Sequence, residues 1–164
     1  SKRSTKVIWQ MINTECKGTL HTALSSAPPA VKTLTWEFLA YLAYSSKNKN
    51  DLWEMLNGQY QTKLKEALSS DSPDVKERAW SCLTYLANCS ENKESIFKIV
   101  STEFKDALNV ALSSGNTSVK KAVQMYLRIE KVSSDENTFL LGKASQIEMY
   151  GTFPSSASKR HRNN

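Results

Sequence analysis

"SSDSPDVKERAWSCLTYLANCSENKESIF", residues 69–97, restates "SSAPPAVKTLTWEFLAYLAYSSKNKNDLW", residues 25–53, at a distance of 44 positions. A third copy follows, because "TALSSAPPAVK" (22–32), "EALSSDSPDVK" (66–76) and "VALSSGNTSVK" (110–120) are spaced by 44 and 44. The same shift aligns "IWQMIN" (8–13) with "LWEMLN" (52–57) and "IFKIVS" (96–101). Trp9, Trp53, Phe97 and Leu141 become one large apolar position met four times. A register held along the chain at a period of about 40–47 residues marks stacked helical units, none of which can bury its apolar face alone.

Each unit reads as three helices. A short amphipathic one covers 4–14, 47–57, 91–101 and, more weakly, 136–148; a second ends in the repeated "ALSS"; the longest covers about 29–44, 73–88 and 117–132. The long helix has a chemical start signal. Ser72 and Asn116 stand where a side-chain oxygen accepts from free first-turn amides, and Pro29 and Pro73 fall at the first helical position, where a missing N–H costs nothing. Counted from the shared Val31, Val75 and Val119, positions +4, +8 and +11 form an apolar stripe within about 80° of the Val. The opposite face carries +2, +6, +9, +10 and +13: Thr33, Glu37, Ala40, Tyr41 and Tyr44, then Glu77, Ser81, Thr84, Tyr85 and Asn88. In the third copy these are Lys121, Met125, Arg128, Ile129 and Val132, and Glu130 interrupts the stripe. That unit is atypical, as a terminal repeat is expected to be.

Composition agrees with a helical domain. The 164 residues are 40% apolar with five Gly and four Pro, which suits a modest core and argues against disorder or a many-turned β fold. No apolar run approaches the roughly 18 residues that span a bilayer, and no signal peptide opens the chain. The first residue is not Met, so the chain reads as a piece of a longer protein. The net charge of +6 resides in Lys2, Arg3 and Lys6 and in Lys159, Arg160 and Arg162; residues 7–149 hold equal numbers of acidic and basic side chains. A neutral body weighs against a nucleic-acid groove. Cys16, Cys82 and Cys89 form an odd set without a C-x-x-C pair, and read as small buried hydrophobes in a reducing, intracellular setting rather than as a redox pair.

"VKERAWSCLTYLA" (75–87), "ENKESIF" (91–97) and "LKEALSSDSPDV" (64–75) resemble the third, first and second helices of an armadillo repeat. The resemblance covers about residues 1–148, with HEAT repeats as near relatives. It implies an all-α, right-handed α-solenoid of about three armadillo-type three-helix repeats. The units are approximately 1–46, 47–90 and 91–134, with a partial capping unit at 135–149 and a disordered basic tail at 150–164. The resemblance also implies a concave groove of third helices that binds an extended segment of another protein. In the importin-α members, Trp at +6 and Asn at +10 grip basic import signals. Here those positions hold Glu37, Ser81 and Met125, and Tyr41, Tyr85 and Ile129, so that ladder is absent.

The expected partner-binding residues are Tyr41 and Tyr85, with Tyr44 one turn on, flanked by Glu37, Glu77, Ser81 and Asn88, with Lys76 and Lys120 at the margin. Tyr combines a flat apolar body with a hydrogen-bonding tip, which suits peptide contact; the alternative is packing between neighbouring third helices. Trp36 and Trp80, at +5, are expected to pack against the adjacent unit, and Trp9 and Trp53 to lie in the core. Lys32, Lys76 and Lys120 form a column that meets an acidic partner or, as the preferred reading, covers apolar surface with its stems. "KRHR" (159–162) reads as a solubilising end or part of a nuclear-import signal. With His21 and His161 the only histidines, and no phosphate-binding Gly loop, nucleophile elbow or metal-ligand cluster, neither an enzyme nor a cofactor is expected. The expectation is thus a cytoplasmic or nuclear protein-binding scaffold. The alternatives are a nucleic-acid-binding HEAT-like solenoid using its basic ends, and a purely structural segment of a larger repeat protein.

Overall fold

The computed structural model describes residues 7, 10, 11, 17–45, 47–88 and 91–150, with side chains from 18 to 136. Among the described residues there is no strand, and no helix is long and apolar enough to cross a membrane. The helices are α1 (Lys17–Ser25), α2 (Pro29–Ser45), α3 (Lys49–Asn57), α4 (Gln61–Leu68), α5 (Pro73–Ala87), α6 (Lys93–Ser101), α7 (Lys105–Leu112) and α8 (Thr117–Tyr150). The chain divides into two compact units, Ser1–Leu127 and Arg128–Asn164. Trp9, Cys16, Cys89 and the tail at 151–164 lie outside the described residues.

The start signals of the long helices act as their chemistry requires. Ser72 Oγ accepts from the Val75 amide at 3.5 Å ahead of Pro73. Asn116 Oδ1 accepts from the Val119 amide at 3.1 Å. Each satisfies one amide that has no partner within its helix. At the end of α3, the Gly58 amide folds back on the carbonyls of Glu54 and Met55, and a Cβ at Gly58 would come within 3.0 Å of the Glu54 oxygen. Glycine gives the closest approach here, while the equivalent turn into α7 makes the same kind of backbone bonds with Thr102 in its place.

Within Ser1–Leu127, helices that hold the same place in successive copies touch: α2 lies against α5, and α4 against α7. Within a copy, α4 packs on α5 and α1 on α2. The third-type helices are therefore flanked on two sides, and their buried arc is wider than the expected stripe. Besides Leu39, Leu42, Leu83 and Leu86, the core takes Trp36, Ala40 and Ala43 from α2 and Trp80, Cys82, Thr84 and Ala87 from α5. Ala40 and Thr84, expected on the open face at +9, are thus buried. Thr84 satisfies its hydroxyl by donating to the Trp80 carbonyl at 2.8 Å.

The three valines are not equivalent. Val75 and Val119 are buried, the former 2% exposed, whereas Val31 is 41% exposed. Val75 sits beside Leu24 and Trp36 of the preceding copy. Among the described residues, no preceding pair of helices stands against Val31 in that way.

The aromatic positions follow the repeat where the residue type is kept. Trp80 donates its indole N–H to the Leu68 carbonyl at 3.0 Å, covering the end of α4, and its ring meets Tyr126 edge-on at 5.5 Å. Trp36 faces the next copy at Ala67 and Val75. Trp53 is buried and donates to Ser95 Oγ at 3.1 Å. In the third copy Gln124 stands where the other copies have Trp, and Leu112, unlike its buried counterpart Leu68, is exposed.

The break expected between 132 and 136 is absent, and α8 runs unbroken to Tyr150. Asn48 and Asn92 occupy the turn before α3 and α6, and the equivalent residue is Glu136, a good helix former without Asn's preference for caps.

Candidate functional site

On α2 and α5 the arc from about 200° to 300° beyond the shared Val points away from the core. It carries Glu37, Tyr41 and Tyr44 from the first helix and Glu77, Arg78, Ser81, Tyr85 and Asn88 from the second. Regular helical spacing of +6, +10 and +13 places these side chains on successive turns, and the packing of α2 on α5 sets the two rows side by side. Tyr41 is 51% exposed and Tyr44 68% exposed, while Tyr85 is half-buried. The structure brings Tyr44, rather than Tyr41, onto Tyr85: their ring centroids are 5.2 Å apart with planes at 61°. This edge-to-face contact holds Tyr85 and leaves the upper ring of Tyr44 open.

Arg78 is a member that reading the single helices did not reveal. Its Nε lies 3.9 Å from Glu37 Oε2 on the neighbouring helix, and its Nη1 lies 3.8 Å from Glu77 Oε1. Both contacts are long and partly solvated, so they orient side chains rather than stabilise the fold by more than a fraction of a kcal/mol, about 0–1 each. Position +3 in one copy meeting +6 in the previous one was the available signal, and only the stacking register makes it legible. One guanidinium between two carboxylates leaves this face locally negative. Ser81 is half-buried beside it, and Asn88 ends α5 in the open. The arrangement offers aromatic faces for apolar or cationic groups and carboxylates for amide or ammonium donors.

The lysines expected at the margin are elsewhere. Position +1 lies about 100° from the Val, some 160° round the helix from the tyrosines. Lys32 lines a small cleft with Lys63, Glu66 and Ser70, where Lys63 pairs with Glu66 at 3.5 Å. Lys76 is half-buried and Lys120 exposed. Neither belongs to the tyrosine face, and the half-burial of Lys32 and Lys76 matches stems laid on apolar surface.

Burial pushes the Cys82 thiol up to about 12, so it has no nucleophilic character at neutral pH. The phenol of Tyr60, desolvated under α1, is also raised. Tyr60 and its counterpart Phe104 are buried just ahead of α4 and α7, and Tyr126 is buried between the rings of Trp80 and Phe97. These are core aromatics outside the candidate face. Among the described residues no group of His, Cys, Asp and Glu is placed to hold a metal ion. No family model, curated protein or solved structure matches the chain.

Proposed function

We propose that the chain is an armadillo-type repeat module whose units continue the same stacking as a right-handed α-solenoid, and that it acts without catalysis by binding an extended segment of another protein. The observation that carries this reading is the exposed tyrosine face: Tyr41 and Tyr44 open to solvent, Tyr44 braced on Tyr85, and the carboxylates of Glu37 and Glu77 beside them. Large rigid side chains that lose little entropy on contact are the usual anchors of protein interfaces, and here they are not consumed by the core. The 44-residue repetition and the contacts of like helices support the solenoid arrangement. A cytoplasmic or nuclear setting accords with the reduced-thiol reading of the cysteines.

The test is selection from a random display library of extended dodecamer peptides on the immobilised chain, followed by titration of the selected peptides. Tyr41→Ala with Tyr44→Ala is expected to lower affinity at least tenfold, with the circular dichroism of the fold unchanged. Selected peptides that bind the double variant as well as the wild type refute the assignment. Preferential binding of RNA or DNA with a steep loss on adding salt would replace it with the nucleic-acid reading.

A further inference from the structure

The boundary between the first two copies is a template for surfaces that the third and first copies leave open. At that boundary Leu24 and Trp36 face Ala67 and Val75, and at its rim the Glu37 carboxylate approaches the Arg78 guanidinium. Two successive shifts of 44 carry the forward-facing set Leu24, Trp36 and Glu37 through Leu68, Trp80 and Ser81 to Leu112, Gln124 and Met125, and one shift of 44 back carries the backward-facing Ala67, Val75 and Arg78 to Ala23, Val31 and Leu34. Both shifted sets are open: Leu112 is 42% and Met125 48% exposed, and Leu34 is 66% exposed beside the half-exposed Val31. The open faces have exchanged a charge pair for an apolar one. Where the internal boundary sets Glu against Arg, the forward face offers Met and the backward face Leu.

We propose that the chain associates with itself head to tail. The backward face of one copy seats on the forward face of the next, with Val31 against Leu112 and Leu34 against Met125. A second copy is the occupant because these faces are the two halves of an interface the chain already forms internally, and both halves of the +3/+6 rim contact have changed together from charged to apolar. The contact is heterologous and repeats the internal step from unit to unit, so it extends rather than closes. Gln124 in place of Trp and the exposed Lys120 and Lys121 reduce the apolar content of the forward face, which places the association in the weak range of small interfaces. The proposal rests on the repeat reading for its 44-residue equivalence, and not on the tyrosine face.

Sedimentation velocity of the whole chain from about 1 µM to about 1 mM tests it, that span covering weak to moderate affinities. The average mass is expected to rise with concentration in the wild type. Leu34→Arg alone and Met125→Glu alone should each abolish the rise, because each sets a charge against an apolar side chain. An equimolar mixture of the two variants should restore it, since one contact regains the Glu–Arg pairing of the internal boundary and the other is unchanged. Both positions are exposed, and matching circular dichroism spectra check that the variants fold. Tyr41→Ala with Tyr44→Ala should leave association intact, which separates this surface from the peptide-binding reading. A wild type that stays monomeric throughout overturns the proposal, leaving the backward face to another three-helix unit. Association that survives both single variants, or that the mixture fails to restore, overturns it as well.

Discussion

Val75→Ala and Val31→Ala make the same chemical change at the same place in two copies, and the structure requires different costs. Each removes two methyl groups, worth about 1.6 kcal/mol when fully transferred from water. At Val75, 2% exposed beneath Leu24 and Trp36, a cavity term of about 1 kcal/mol adds to this. The better helix propensity of Ala returns about 0.5 kcal/mol at either site. The net cost is about 2 kcal/mol at Val75. At Val31, 41% exposed, roughly three-fifths of the transfer term survives and no cavity forms, so the net cost is about 0.4 kcal/mol. With a urea slope near 2 kcal/mol/M, the midpoint should fall by about 1 M for Val75→Ala and by about 0.2 M for Val31→Ala. The assay is urea unfolding followed by circular dichroism near 1 µM chain, where head-to-tail contacts are diluted out. Val119→Ala, also at a buried position, should behave like Val75→Ala. Equal midpoint shifts for Val31 and Val75 would refute the reasoning, because they require a neighbour on α2 that covers Val31 as the first copy covers Val75.

Three further predictions follow from single contacts. Cys82 has a folded-state pKa of about 12 against an ordinary value of 9.0, so its proton is held more tightly in the fold than in the unfolded chain. Its contribution is lost as pH rises through 9 towards 12; stability should drop by about 1 kcal/mol between pH 9 and pH 10, and Cys82→Ala, measured by urea midpoints at both pH values, should lose that slope. Trp80→Phe deprives the buried Leu68 carbonyl of the indole N–H and leaves a gap beside Tyr126, for an expected cost of about 2–4 kcal/mol in thermal or urea unfolding. Asn116→Ala should cost about 1 kcal/mol and Ser72→Ala about half as much, because the Asn116 cap is 3.1 Å long and the Ser72 cap 3.5 Å; equal or reversed costs in the same assay would show that cap length does not rank them.

Helix type, helix starts and the 44-residue unit are local or repeated properties, and they were legible in the chain. Pro29, Pro73, Ser72 and Asn116 announce helix beginnings because the relevant amides lie within three residues of the signal. The end of the third long helix was not legible: Val132 and Glu136 stand where Asn88 and Asn92 flank the turn after α5, and helix continues for eighteen residues past the expected end at 132. The tyrosines were found by counting from a shared Val. That Tyr44 is the ring that reaches Tyr85, and that Lys32 lines a cleft on another side of the helix, follow only from how the helices pack.

What the amino-acid sequence determined by itself is periodicity: the identity of the repeating unit, its all-helical character, and which side of each helix is rich in apolar or aromatic side chains. What only the tertiary structure decided is which members of a repeated position are covered. Val31 and Val75 share a register and a residue type, and one is open while the other is closed. Leu68 and Leu112 divide in the same way: Trp80 stands over Leu68, and in the third copy the residue equivalent to Trp80 is Gln124. Burial belongs to the neighbour as much as to the residue, and a stacked unit's neighbour lies some forty residues away along the chain, beyond the reach of any local pattern.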